Sequence, residues 1–230
     1  ITVFWSEDSD VKKEFVIPDD VVDIAFKLEC KTLPLDHAQA LTDAIQQALP
    51  WFTQEDLAGL HLIHVAESGN GWYRPEDPEN EVLCLSRRTR MTLRVPKHRI
   101  DDAHDLSEQT LDIAGHSLTV REGMLKSLSA LPTLFARYII TEEHQDEHAF
   151  LTQMAAILRD MEIPVKKLMA GKRHVMRMAD GPVFTRSLMV ADLTPEHAVK
   201  LQQQGIGPGR KFGCGLFLPQ KGIKAVNADN

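Results

Sequence analysis

The apolar pattern of this chain switches from strand to helix period and back, twice over, and that succession leaves few folds open to it. Residues 21–30 alternate apolar and polar side chains as a strand does, and residues 31–35, with Pro34, turn the chain. From Asp36 the period lengthens. Ala40, Leu41, Ala44, Ile45 and Ala48 or Leu49 share one helical face, which Asp36 is placed to N-cap and Pro50 to stop. That puts His37 in the first turn of the first helix. Strands are expected at 60–66 and 82–95 around a polar loop at 67–80. An amphipathic stretch from Pro96 to Leu106 and a strand at 111–120 then complete the order β-α-β-β-α-β.

The second half repeats that order. Residues 133–141 read as a strand, 146–161 as a helix, 165–178 as a strand, and Asp180-Gly181-Pro182 as a hairpin turn. A returning strand at 184–191, a helix opened by Thr194-Pro195-Glu196, and a closing strand at 211–218 complete the set. The expected fold class is therefore α+β, with two tandem ferredoxin-like (RRM-like) βαββαβ domains. The expected boundaries are 1–128 for the N-terminal unit with the His37 helix and 129–230 for the C-terminal unit with a basic hairpin and a Gly-rich loop. At 230 residues the chain is long enough for two cores.

The Gly-rich loop, residues 205–221, holds five of the thirteen glycines, and its charged residues, Arg210, Lys211 and Lys221, are all basic. It lacks the Gly-x-x-x-x-Gly-Lys-Ser/Thr pattern of a nucleoside-triphosphate loop, and it follows a helix where a dinucleotide fingerprint would follow a strand. Glycine allows positive φ, so a loop carrying Gly207 and Gly209 can turn its backbone N–H groups toward phosphates. The net charge of −7 hides an asymmetry: residues 163–226 hold eleven Lys/Arg against three acids, whereas residues 1–162 hold fifteen against twenty-nine. Residues 82–100 hold six cations and no acid. Local field governs phosphate binding, so this distribution points to a polyanion partner. Whether the Arg87–Arg94 stretch faces RNA or a protein is not decided by sequence, and the acidic first twenty residues read as a docking edge or a solvated tail. No run of about 18 apolar residues suggests a membrane span, and no signal-peptide pattern opens the chain. Cys30, Cys84 and Cys214 lack Cys-x-x-Cys spacing and read as reduced thiols, so the expectation is a cytoplasmic protein without membrane contact.

Five stretches carry a resemblance to a known family: Leu33-Pro-Leu-Asp-His-Ala-Gln-Ala-Leu41, Gly69-Asn-Gly-Trp-Tyr-Arg-Pro75, Leu85-Ser-Arg-Arg-Thr-Arg90, Thr185-Arg-Ser-Leu-Met-Val190 and the Gly-rich run from Gly205 to Ile223. The chain resembles the CRISPR-associated endoribonucleases that cut repeat RNA into guide RNAs, most closely their myxan-subtype branch. The resemblance implies binding of a CRISPR repeat stem-loop, cleavage without a metal or other cofactor, and retention on the crRNA 3′ end beside other subunits of a surveillance complex. It also implies that His37 is the catalytic histidine. The tyrosine that some relatives pair with it is missing from Ala38-Gln39-Ala40-Leu41.

The chemistry fits such residues. The 2′-hydroxyl of RNA attacks the adjacent phosphorus in line, and the protein must hold that geometry, move protons and offset the phosphorane charge. Histidine suits the proton work; a helix N-terminus disfavours its cation and Asp36 favours it, so sequence does not assign His37 as base or acid. Lys172, Arg173, His174 and Arg177 fall on the expected hairpin, with Arg186 on its return strand, and together with Gly207, Gly209, Arg210 and Lys211 they form the expected RNA surface. Trp72 and Tyr73 could stack an unpaired base or anchor packing. His61 and His64 face opposite sides of a strand and do not suit one metal; His144 and His148 sit in an acidic surface. An RNA-binding subunit without catalysis and a protein-interaction scaffold are the competing readings.

Overall fold

A computed structural model describes residues 15–64 and 82–220. The fold is α+β. In the first half β1 (Val21–Glu29) is the centre of a five-stranded antiparallel sheet in the order β3-β5-β1-β7-β6, with β3 Gly59–His61, β5 Arg90–Pro96, β6 Thr110–Ile113 and β7 His116–Lys126. The alternation expected of β1 is a division between two packing partners. Val22, Ile24 and Phe26 enter a core with Leu41 and Ile45 from α1 (Ala38–Ala48), Leu49 just beyond it, and Ala103 from α2 (Ile100–His104), while Asp23 turns to the other face.

Several local expectations change. His37, not Asp36, is the N-cap residue of α1, and its side chain makes no capping bond; the Asp36 carboxylate instead accepts the Arg177 N–H at 3.1 Å. The single strand expected at 82–95 divides into β4 (Val82–Cys84), paired with β2 (Thr32–Pro34), and β5. Between them the Thr89 hydroxyl accepts the Ser86 N–H and the Thr89 N–H bonds the Ser86 carbonyl, a closed turn that uses up ladder donors. The strand expected at 111–120 is a hairpin of β6 and β7. Ala114 and Gly115 both take positive φ (52° and 85°), and Asp112 accepts the Gly115 N–H, as a two-residue hairpin turn requires.

In the second half β8 (Leu134–Ile140), α3 (Glu147–Asp160), β9 (Lys167–Met178), β10 (Gly181–Ala191), α4 (Pro195–Gln204) and β11 (Leu218–Pro219) give a sheet in the order β11-β8-β10-β9. Both helices start where their caps predict: Asp146 accepts the Ala149 N–H and Thr194 the His197 N–H. Phe150, Met154, Leu158, Leu201 and Phe217 fill a second core. The closing strand is shorter than expected, because residues 210–212 form a 3₁₀ turn between Gly209 and Gly213, both left-handed. No helix among the described residues is long and apolar enough to cross a membrane.

The halves are joined by a buried charge pair. Arg94, fully buried, sits opposite Asp23 in the β1–β5 register and binds both carboxylate oxygens at 2.8 and 2.9 Å. Its Nη1 donates across the seam to the carbonyls of Gln202 (2.8 Å) and Phe217 (3.1 Å). The pair holds the Asp23 carboxyl below its ordinary value even though burial alone pushes it up.

Candidate functional site

The first helix begins in the seam. Ala38 packs with Met176 of β9 and with Cys214, and the Thr42 hydroxyl donates to the Lys211 carbonyl at 2.8 Å. His37 lies beside these contacts and is only 3% exposed. Its Nδ1 is 3.0 Å from the Pro34 carbonyl and 3.3 Å from that of Leu35, and its Nε2 is 3.2 Å from the Ile63 N–H. A carbonyl can only accept and an amide N–H only donate, so the ring is the neutral Nδ1–H tautomer. Burial lowers the His37 pKa, outweighing the two carbonyls and Asp36, which raise it. The contest left open by sequence goes to the neutral form.

Three further rings meet nearby. Tyr138 of β8 is edge-on to His174 of β9, with centroids 5.4 Å apart and planes at 76°, and lies 5.9 Å from the ring of His64. Burial pushes the Tyr138 hydroxyl up to about 12, so it is un-ionised at neutral pH. Nothing local in the sequence singles out Tyr138, since it reads as one more strand residue and only the docking of the halves brings it between two histidines. His61 points elsewhere, toward the Asp23–Arg94 pair, and burial with the Arg94 charge lowers its pKa to about 4. Among the described residues no three His, Cys, Asp or Glu converge as a metal-ligand set.

The expected cationic surface divides. Lys172, Arg173 and Arg177 are exposed along the β9 edge strand, with Arg173 donating to the Gln145 carbonyl at 2.7 Å, and His174 is half-buried. Arg186 departs from expectation: at 8% exposure it lies over the Phe150 ring and 3.8 Å from Glu147, packed under α3. The side chains of Arg210 and Lys211 also turn inward. Arg210 donates to the carbonyls of Gln204 and Leu57, and Lys211 to those of Glu55 and Ala58 while lying over Phe52. Burial lowers their pKa values to about 10 and about 8. These two cations satisfy carbonyls of residues 55–58 and hold the Gly-rich turn against the first half.

The glycines serve the same docking. A Cβ on Gly215, at φ 71°, would stand 2.2 Å from the Ile206 carbonyl oxygen, and one on Gly213 would stand 2.7 Å from Leu62. The N–H groups of residues 212–215 are spent on Gly209, Arg210 and Tyr138 carbonyls, so they do not form the phosphate cradle expected of the loop. Gly207 is exposed and Gly209 half-buried, at the outer rim of the turn. The acid-free stretch at 82–100 is likewise dispersed: Arg94 is buried, Arg90 donates to the Arg87 and Thr89 carbonyls, Arg99 pairs with Asp102, and Lys97 pairs with Asp19. Arg87 and Arg88 remain exposed on the turn. Trp72, Tyr73 and Lys221 lie outside the described residues.

Comparison with known proteins places this geometry. Residues 22–222 match the family model described as Cas6 Crispr. A CRISPR-associated endonuclease Cas6 of Myxococcus xanthus (strain DK1622) is 31% identical over 198 residues, covering 86% of this chain and 81% of that protein. A solved structure described as CRISPR associated protein Cas6 aligns at a TM-score of 0.58 with 11% identity, over 87% of this chain and 100% of the other. A RAMP protein described as binding different RNA substrates aligns at 0.59 with 16% identity, over 85% and 98%. At such identities these two likenesses speak for the fold alone.

Proposed function

This chain belongs to the Cas6 family of CRISPR-associated proteins, and from that premise we propose that it is a metal-independent endoribonuclease of CRISPR repeat RNA. The strand order in each half supports reading the chain as two ferredoxin-like units, 1–128 and 129–230, with the active centre in their seam. The cut proceeds by 2′-hydroxyl attack and leaves a 2′,3′-cyclic phosphate and a 5′-hydroxyl. The product is the mature crRNA, whose 3′ stem-loop the protein keeps as a subunit of the surveillance complex.

The observation that carries this reading is the placement of His37: a neutral imidazole at the seam, on the helix that packs against the cation-bearing strand β9. Its Nε2 is the one ring atom able to take a proton. To act, it exchanges the Ile63 N–H for the 2′-hydroxyl, a modest demand for a 3.2 Å contact. Lys172, Arg173 and Arg177 on β9 hold the phosphates, and the exposed rim at Gly207 and Gly209 adds backbone contact.

Incubating labelled repeat RNA with the protein in EDTA tests the reading. One cut is expected in the repeat, and none when the nucleotide before it is 2′-deoxy. Cleavage that survives the deoxy substitution would sink the mechanism. A second reading, an RNA-binding subunit that caps and presents crRNA without cutting, is favoured by the engagement of both His37 ring nitrogens. Tight repeat binding with no product over hours would select it.

A further inference from the structure

Cutting RNA by its own 2′-hydroxyl moves two protons on opposite sides of the phosphorus. One leaves the attacking hydroxyl and one reaches the departing 5′-oxygen. His37 can serve only the first. Its single ring proton, on Nδ1, is committed to the Pro34 and Leu35 carbonyls, and the ring is packed in place behind them. The donor for the leaving group therefore comes from another wall of the seam.

Strand β9 supplies that wall. Side chains two apart in a regular stretch of strand share a face, so His174 and Met176, paired in register with Thr185 and Val183, look the same way. Met176 is buried against Ala38, the residue after His37, and the next backbone N–H, that of Arg177, bonds the Asp36 carboxylate at 3.1 Å. The face that carries His174 thus looks toward the start of α1. The backbone at His174 is fixed by its pairing with Thr185, whose hydroxyl donates to the His174 carbonyl at 3.1 Å, and its ring is held edge-on by Tyr138. Two other rings compete for the role. His64 follows Ile63, whose N–H binds His37, and so belongs to the same wall as the base. Tyr138 holds its proton to about 12, a poor donor near neutrality.

We propose that His174 is the general acid of the cleavage, protonating the 5′-oxygen while His37 receives the proton of the 2′-hydroxyl. This assignment rests on the endoribonuclease reading. In the step the 2′-oxygen forms its bond to phosphorus as the P–O5′ bond breaks. The 2′-hydroxyl proton passes to His37 Nε2, and the electron pair left on O5′ takes a ring proton from His174. His37 ends as the cation and His174 neutral, and solvent restores both.

The test compares ordinary repeat RNA with the same RNA carrying a bridging 5′-sulfur at the cut, because a thiolate leaves without needing a proton. His174→Ala and His174→Gln should cut ordinary RNA at least about 100-fold more slowly than wild type. Both variants should cut the 5′-sulfur RNA within about tenfold of wild type, whereas His37→Ala should be slow on both RNAs. A thermal unfolding midpoint within about 5 °C of wild type would show that each variant is folded. Equal slowing on the two RNAs, or ordinary RNA cut at the wild-type rate, would overturn the assignment alone. Wild-type protein that cuts neither RNA would overturn the endoribonuclease reading and the assignment with it.

Discussion

Replacing Arg94 with Met should cost this protein about 5 kcal/mol and reverse the way Asp23 responds to pH. Arg94 makes four hydrogen bonds: two to Asp23 and one each to the Gln202 and Phe217 carbonyls of the second half. Met fills much of the same volume but leaves a buried carboxylate without its partner, which typically costs about 3–5 kcal/mol. Two orphaned carbonyls cost about 1 kcal/mol more each, before any relaxation. In urea, with a slope of about 2.5 kcal/mol per M, the midpoint should fall by about 2 M. In the wild type the Asp23 carboxyl is held below its unfolded value, so its stabilisation is present at neutral pH and is lost as pH falls through the folded pKa. Without Arg94 only burial remains as the main influence, and it pushes the carboxyl up. The variant therefore binds a proton more readily when folded, and its deficit against wild type should shrink as pH falls from about 6 toward 4. Adding Asp23→Leu, which removes the stranded charge, should restore about 2 kcal/mol. A deficit under about 1 kcal/mol, or one that does not change with pH, would refute the view that this pair ties the halves together.

Gly215→Ala should destabilise by about 2 kcal/mol or more in chemical denaturation, since the φ of 71° and the Ile206 carbonyl 2.2 Å from a new Cβ both oppose it; full stability would mean the turn is looser than described. His61, held neutral to about 4 against an ordinary 6.5, binds its proton more readily in the unfolded chain over that window. Folding stability should therefore fall as pH drops from about 6.5 to 4, by up to about 3 kcal/mol, and His61→Asn should flatten that part of the pH profile. Lys172→Ala and Arg173→Ala should each weaken repeat-RNA binding and lower the salt slope by about one, whereas Lys211→Met should cost about 1–3 kcal/mol of stability and leave the salt slope nearly unchanged. A salt slope that falls as much in Lys211→Met as in Lys172→Ala would return the Gly-rich turn to the RNA surface.

The helices were legible because their signals are local. Thr194-Pro195-Glu196 caps α4 as read, and Asp146 caps α3 within a residue of the expected start. The first helix was placed correctly but its cap was not, since the Asp36 carboxylate is drawn off to an N–H in β9 and the helix opens on His37 unassisted. The strand boundaries failed where side chains competed with the ladder. Ser86 and Thr89 closed a turn inside one expected strand, and Ala114-Gly115 folded another into a hairpin.

For the candidate site, residue type and chain order suffice to pick out the hairpin cations of β9 and the charge asymmetry between halves, because each is a property of a short segment, whereas His37 stands out through the family resemblance. What only the tertiary structure decides is the partner of each charge. Arg186, Arg210 and Lys211 read as cations for RNA, yet Arg210 and Lys211 donate to carbonyls 153 residues away and Arg186 lies under α3 over the Phe150 ring, while Arg94, left open by sequence between RNA and a protein, binds Asp23 and two carbonyls of the second half. Tyr138 reads as one more strand residue until the docking of the halves sets it between His174, in its own sheet, and His64 of the first half. A charge seeks the nearest uncompensated dipole in space, and distance along the chain does not enter that energy.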